Sequence, residues 1–505
     1  MATPATKSLG ELDSGARPHV MFIPSAGMGH LLPFFRFIAS LAGHDDDVDI
    51  SVVTVLPTVS AAEADHFSSL FAALPHVRRV DLHLLPLNAS EFPSHDRDPF
   101  IVRWEALRRS AHLLRPLIAG ASPRVSAVIT DVTLTSYVIP IAKELGVPCH
   151  VLFISCATML SLNAYFPLHL DKKKKAEQHE QGLAGGVGVG DVDIPGVRRI
   201  PRSCLPQPLL DLSKLFTKQF IDNGRENINA DGFLVNTFDA LEPAALAALR
   251  DGKVVPGFPP VYAIGPLRSQ QHSNSAAAEV EKEEDSSPVA WLDKQPARSV
   301  VYVAFGNRSA VSHAQIREIA AGLEASGCRF LWVLKTTKVD RDDSAELTDV
   351  LGEGFLERLQ LGQHGLVTKA WVDQEALLKH PSVGLYLSHS GWNSVTEAAA
   401  AGVPLLAWPR GGDHRVNAMV AVSGGVGVWM EHWSWDGEDW LVTAEEIGKK
   451  VKEVMSDAAV RARATRTGEE AAKAVAEGGT SYRSMQQFIS SLKATGHSDP
   501  IQPLH

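Results

Sequence analysis

The sequence predicts an α/β protein whose parallel sheets are divided between two domains, and three observations carry that prediction. Short apolar runs with strand character alternate with stretches of helical spacing along most of the chain. The alternation is broken by a charged, polar segment, residues 269–287, which reads as an interdomain linker. On each side of that linker one strand run leads directly into a glycine-containing turn and a helix, the kind of junction where open α/β sheets bind ligands.

Taken in order, residues 1–17 have no apolar core and read as a disordered leader rather than a signal peptide. His19 to Ile23 is a buried strand, Gly27 and Gly29 form a turn, and helical spacing begins at Leu31. His30 therefore falls at a helix start, where it serves equally as an ordinary cap or as a catalytic base. The turn lacks the third glycine of a dinucleotide fingerprint, and no acidic residue ends the next strand, VDISVVTVLP. Strands ISVVTVL, RRVDLHLL, SAVITD and PCHVLFIS then alternate with helices over 60–72, 100–119 and 133–146. Asp131 ends the SAVITD strand, as a helix N-cap or as a functional carboxylate. Residues 171–191 are low in complexity and read as a flexible surface loop, their lysine run a solvated face. DGFLVNTF and PVYAIG complete a first domain over 1–268. Beyond the linker, SVVYVAFGN, a helix from His313 to Ser326, RFLWVLK and the stretch Trp371 to His414 build a second domain over 288–480. Residues 481–505 are expected to return to the first domain as a helix and tail.

With 505 residues the chain exceeds one core, and 45% hydrophobic with 21% charged residues is the balance of an ordinary globular enzyme. A formal charge of −10 argues against a nucleic-acid partner. No run is long and apolar enough to span a membrane, and Cys149, Cys156, Cys204 and Cys328 show no paired spacing. A reduced, cytoplasmic protein is expected, as a monomer.

The stretch Trp371 to His414 concentrates the chemistry. Strand VGLYL is followed at once by Ser388, His389, Ser390, Gly391, Trp392, Asn393 and Ser394, then by helix-forming VTEAAAA. Orphan N–H groups and the helix dipole favour an anion there, and His389, Asn393 and Ser394 add donors. Trp371 could stack on a base and Gln374 could meet a heterocycle's edge. Glu397, one helical turn after Asn393, could accept two ribose hydroxyls, while Asp413 and His414 follow a glycine turn and offer polar groups to a second ligand part. Each of these alone is an ordinary core aromatic, cap or surface charge; their spacing together is not.

The pattern W-x2-Q-x14-H-x-G-W-N-S-x2-E-x4-G-x-P-x4-P-x3-D closely resembles the signature box of plant family-1 UDP-dependent glycosyltransferases. PSAGMGHLLP, ITD, FIS, VNTF-x-x-LEP and YVAFGN resemble the family's other landmarks, so the resemblance covers nearly the whole chain. It implies a GT-B fold, two facing Rossmann-like domains with the donor in the second and the acceptor mainly in the first. His30 would be the general base and Asp131 its orienting partner. Trp371 and Gln374 would bind uracil, Glu397 the ribose, His389, Asn393 and Ser394 the diphosphate. Trp392, Asp413, His414, Ser155 and Asn307 would complete the donor side. Phe92, Trp104 and Met159 are candidates for the acceptor wall, with core packing the competing reading. No metal and no cofactor is implied beyond the UDP-glucose co-substrate, and no HxH, HExxH or strand-end DxD cluster is present.

PSAGMGH, VLPTVS, DVDIPGV, TKAWVDQE, SVTEAAA and WSWDGE further resemble the grass flavonoid C-glucosyltransferases that act on open-ring 2-hydroxyflavanones. Phloretin-like dihydrochalcones share that acceptor chemistry. The chain departs from the family at Asp373, usually proline, at Ser390, usually cysteine, at Asn307, often a small hydroxyl residue, and at His414, usually glutamine. Histidine at that last position resembles some galactose-transferring members, so glucose and galactose both stay open. A flavonoid O-glycosyltransferase is the nearest alternative, and a UDP-sugar-binding protein without catalysis is the alternative from another class. A nicotinamide oxidoreductase would leave the spacing of the box unexplained.

Overall fold

The computed structural model describes residues 17–44, 48–91, 99–179, 188–268, 287–306, 311–335, 345–362, 364–370, 372–433 and 441–495. Trp371, Asn307, Phe92, the 1–16 leader, most of the 269–287 linker and most of WSWDGE lie outside them. Among the described residues no helix is long and apolar enough to cross a membrane.

The first sheet contains β1 (His19–Ile23), β2 (Asp49–Leu56), β3 (Arg78–His83), β4 (Ala127–Asp131) and β5 (Cys149–Phe153). A two-stranded hairpin, β6 (Val192–Ile194) and β7 (Arg198–Ile200), interrupts the series before β8 (Gly232–Val235) and β9 (Val261–Ala263) rejoin the sheet. The second sheet contains β10 (Val300–Ala304), β11 (Arg329–Val333), β12 (Gly365–Thr368), β13 (Val383–Ser388), β14 (Leu405–Ala407) and β15 (Gly427–Trp429). The strand orders are β3-β2-β1-β4-β5-β8-β9 and β12-β11-β10-β13-β14-β15, parallel throughout. Each order reverses once, between β1 and β4 and between β10 and β13. At such switch points the connections leave in opposite directions and open a crevice beyond the strand ends.

Helices cover both faces, so the inner strands are buried on both sides and read as continuous apolar runs. Successive residues of β1 enter opposite cores, Val20 and Phe22 on one side, Met21 and Ile23 on the other. The Met21 core continues into the second sheet through Val300, Tyr302 and Tyr386. At the edge, β3 exposes Arg79, Asp81 and His83, charges that discourage a further strand from pairing.

The helix predicted over His313 to Ser326 has those bounds, set by Ser312 as N-cap and Gly327 in the left-handed conformation as C-cap. The predicted 171–191 loop is corrected in part. Residues 171–179 continue the helix Ala157–His179, because lysine, alanine, glutamate and glutamine are good helix formers with no glycine among them. Lys172 lies over the Tyr165 ring and donates to its Oη at 3.1 Å.

The last helix, Thr480–Thr495, packs on the first sheet, where Phe488 meets the His150 ring edge-to-face at 5.1 Å. Burial pushes the His150 imidazole down to about 4. Above pH 6.5 it is neutral in both folded and unfolded chains. As pH falls from 6.5 to 4, the unfolded chain takes up a proton that the folded one refuses, and stability is lost. Between pH 7 and pH 5 this one group should cost about 2 kcal/mol. Urea unfolding at both pH values checks this, with His150→Phe as the control that removes the proton. An undiminished pH slope in that variant would contradict the assignment.

Candidate active site

The first half of the site is built at the β1/β4 switch point. Gly27 turns the chain out of β1 at φ +97°, a conformation glycine adopts without strain. The buried Glu63 carboxylate fixes that turn by accepting from Gly27 N at 2.6 Å and Val59 N at 3.1 Å. Gly27 O in turn accepts from His30 N, so His30 sits in the first turn of the helix Met28–His44. Its Nδ1 lies 2.9 Å from Asp131 Oδ2 at the end of β4. Asp131 is fully buried, and its Oδ1 accepts from Thr133 N at 2.8 Å and Thr133 Oγ1 at 2.6 Å. One Asp131 oxygen thus caps the following turn and the other meets the imidazole. A carboxylate at Nδ1 keeps the ring proton there and leaves Nε2 as the basic nitrogen.

The second half lies at the β10/β13 switch point. After β13 the chain passes through Ser390 at φ +65°, a strained value for a side-chain-bearing residue, and enters the helix Trp392–Ala401 with Gly391 as N-cap. His389 packs edge-to-face on His414 at 4.8 Å. Burial, reinforced by His414, holds the His389 imidazole well below its usual range, so it is neutral at pH 7 and carries a single N–H. Gly306 and Gly391 close on this ring so tightly that a Cβ on either would lie 2.7 or 2.6 Å from His389 Nε2. Asn393 Oδ1 and Ser390 Oγ are buried here with no hydrogen-bond partner among the described residues. Unsatisfied polar atoms beside a helix N-terminus are what a ligand's polar groups would pair with.

Glu397 and Gln374 are joined, Gln374 Nε2 donating to Glu397 Oε2 at 2.6 Å and reaching Ser394 Oγ at 3.3 Å. Gln374 Oε1 accepts from Tyr386 Oη at 2.8 Å and Tyr302 Oη at 3.2 Å. Burial raises both phenols, so they stay protonated donors. Gln374, expected at a base edge, is thus hydrogen-bonded on both amide atoms, to Glu397 and Ser394 on one side and to the two phenols on the other.

Several contacts join the domains. Ser155, just after β5, lies within hydrogen-bonding distance of Asp413 Oδ2 and of Asn417 Oδ1, and Asn417 Nδ2 donates to Asp413 Oδ2 at 3.0 Å and Ser390 O at 3.2 Å. Trp392, expected at the sugar, points its indole N–H to Asn236 O of the first domain at 2.8 Å, which commits that donor to the domain junction. Arg36 crosses from the first helix to Glu397 Oε1 at 2.5 Å. Sequence reasoning missed Asn417 and Arg36. For Arg36 a signal existed: it is the one charge inside the apolar run LLPFFRFIASLAG.

Trp104, a candidate for the acceptor wall, donates to Ser25 Oγ at 3.3 Å and stacks on Phe216 at 5.6 Å and 15°. Phe216 stacks in turn on Phe220, giving a row of flat aromatic surface that includes two residues the sequence reading did not name. Met159 is buried in the large core. Among the described residues no three histidine, cysteine or carboxylate side chains converge as a metal ligand set.

Residues 271–464 match the family described as UDP-glucoronosyl and UDP-glucosyl transferase. The chain is 58% identical over 476 residues to the UDP-glycosyltransferase CGT of Oryza sativa subsp. indica, covering 94% of this chain and 96% of that protein. It is 53% identical over 480 residues to UDP-glycosyltransferase 708A6 of Zea mays, covering 94% and 96%. LpCGTa in complex with UDP has a TM-score of 0.80 to this structure at 46% identity, covering 94% of this chain and 99% of that one. Medicago truncatula UGT71G1 complexed with UDP-glucose has a TM-score of 0.76 at 28% identity, covering 94% and 98%. Two Rossmann-like domains, each with its strand-end site, thus define a GT-B glycosyltransferase that takes a UDP-sugar. The chain belongs to the UDP-glycosyltransferase family.

Proposed function

We propose that this chain is an inverting C-glucosyltransferase that moves glucose from UDP-glucose to a ring carbon of a polyphenol. Its acceptors are open-ring 2-hydroxyflavanones and phloretin-like dihydrochalcones. The observation that carries the reading is the His30–Asp131 pair at the switch point of the first sheet. A protein that only bound a UDP-sugar would have no use for it. The choice of carbon over oxygen rests on the 58% identity to a rice relative whose name includes CGT.

A phenol titrates near 10 and an imidazole near 6.5, so full proton transfer between them costs about 5 kcal/mol. A carboxylate on the far ring nitrogen stabilises the imidazolium, and a carbonyl ortho to the phenols makes them more acidic; both narrow the gap. His30 Nε2 takes the phenolic proton. The phenolate places negative charge on the ring carbon between hydroxyls, and that carbon bonds to the anomeric carbon as the C–O bond to UDP breaks. The proton on the attacked carbon then leaves, restoring aromaticity, with net release of UDP and one proton. The helix N-terminus at Trp392, with His389 and Ser394, stabilises the departing diphosphate, so the reaction needs no metal.

The test is incubation of the protein with phloretin and either UDP-glucose or UDP-galactose, with and without EDTA, followed by mass spectrometry. A hexoside from UDP-glucose that fragments across the sugar ring, formed equally in EDTA, is the expected product. Loss of the intact hexose would mark an O-glycosyltransferase, and turnover with UDP-galactose alone would make His414 the sugar selector. Activity lost in EDTA and restored by a divalent ion would overturn the metal-free mechanism.

A further inference from the structure

Arg36 is a buried cation on a helix whose other inward residues are apolar. Burying such a charge is costly unless it is paired and hydrogen-bonded. Two of its partners among the described residues belong to the other domain: Glu397 Oε1 at 2.5 Å and Glu375 Oε2 at 3.9 Å, both carboxylates buried. Glu375 is also paired with Lys379 at 2.7 Å. Arg36 is thus the contact through which the helix bearing His30 holds the residue expected to take the ribose. His30 and Arg36 are six residues apart, about 9 Å along the helix axis.

We propose that Arg36 is a positioning residue for the donor nucleotide, an inference that rests on the UDP-sugar reading of the Glu397 site. An ionised carboxylate has about four acceptor positions, two on each oxygen. Arg36 occupies one on Oε1 and Gln374 one on Oε2. One position per oxygen remains, and a vicinal diol has two hydroxyls to donate. With the carboxylate gripped from both sides, its orientation is set before the ribose arrives, so little ordering entropy is lost on binding. Without Arg36, Oε1 loses its charged partner, the plane of the carboxylate is held from one side only, and an uncompensated negative charge sits beside the path of an anionic ligand.

The experiment measures binding of UDP and of 2′-deoxy-UDP by calorimetry to the full chain, to Arg36→Gln and to Arg36→Lys. In the unaltered protein, removing the 2′-hydroxyl should weaken binding about tenfold or more, the size of a hydrogen bond to a charged group. In Arg36→Gln that ratio should fall to about threefold or less, because the carboxylate no longer presents itself to the diol. Arg36→Lys should give an intermediate ratio, since lysine keeps the charge without the planar fork. A merely structural arginine would weaken both ligands equally; an unchanged ratio in Arg36→Gln therefore overturns the proposal. If Arg36→Gln does not fold, the same comparison is made with Arg36→Lys. An unaltered protein that binds UDP and 2′-deoxy-UDP equally well overturns the role of Glu397 and of Arg36 together. One that binds no UDP overturns the nucleotide reading itself.

Discussion

His30→Ala should lower turnover by about a thousandfold, within the usual range for loss of a general base, while UDP affinity stays within about twofold. The two effects separate because the imidazole and the expected nucleotide site stand on different sheets. His30 is bonded to Asp131 at the end of β4, whereas the diphosphate is expected at the helix after β13. The variant should remain folded: Asp131 Oδ1 keeps both bonds from Thr133, and the turn is still pinned by Glu63. Single-turnover kinetics with phloretin and UDP-glucose, beside calorimetry with UDP, reads both quantities. Persistent turnover in His30→Ala would remove the residue from the mechanism, and a parallel loss of UDP binding would make its role structural.

Gly391→Ala should weaken UDP binding by about 30- to 100-fold, the size of one hydrogen bond to a charged ligand. The backbone at Gly391, φ −59° and ψ 145°, suits alanine, so no conformational strain is introduced. The obstacle is space. The new methyl would stand 2.6 Å from His389 Nε2, and the ring is hemmed in by His414 at 4.8 Å and by Gly306. Either His389 swings out of its place or the helix N-terminus shifts, and both disarm the anion site. Overpacking of this kind also costs about 1–3 kcal/mol of stability. Adding His389→Ala should recover the melting temperature by removing the clash but not the affinity, since the donor is then gone. UDP binding within about threefold of the unaltered protein would show that the tight approach has no bearing on the donor.

The local rules carried well where the chain is periodic and capped. β1, β4, β10 and β13 were legible as apolar runs, and the helix His313–Ser326 could be bounded by Ser312 and Gly327, because strand burial and helix caps act over a few residues. His30, Asp131 and the 388–397 segment could be placed at strand ends for the same reason. Composition misled at 171–179, where a lysine-rich turn that looks like solvated loop continues a helix on its exposed side.

What the sequence by itself determined, then, is which residues stand at the strand ends and helix starts, since period and cap chemistry are local. Only the tertiary structure decided which of them meet. His30 finds Asp131 because β1 and β4 are neighbours in the sheet order, although the two residues are 101 positions apart. Arg36 finds Glu397 across 361 residues, Ser155 finds Asp413 across 258, and Trp392 finds Asn236 across 156. The same step turned Gln374 toward Glu397 and committed the Trp392 indole to the domain junction. Pairings at such separations follow from strand order and from how two sheets pack against one core, properties of the whole chain that no window of neighbouring residues contains.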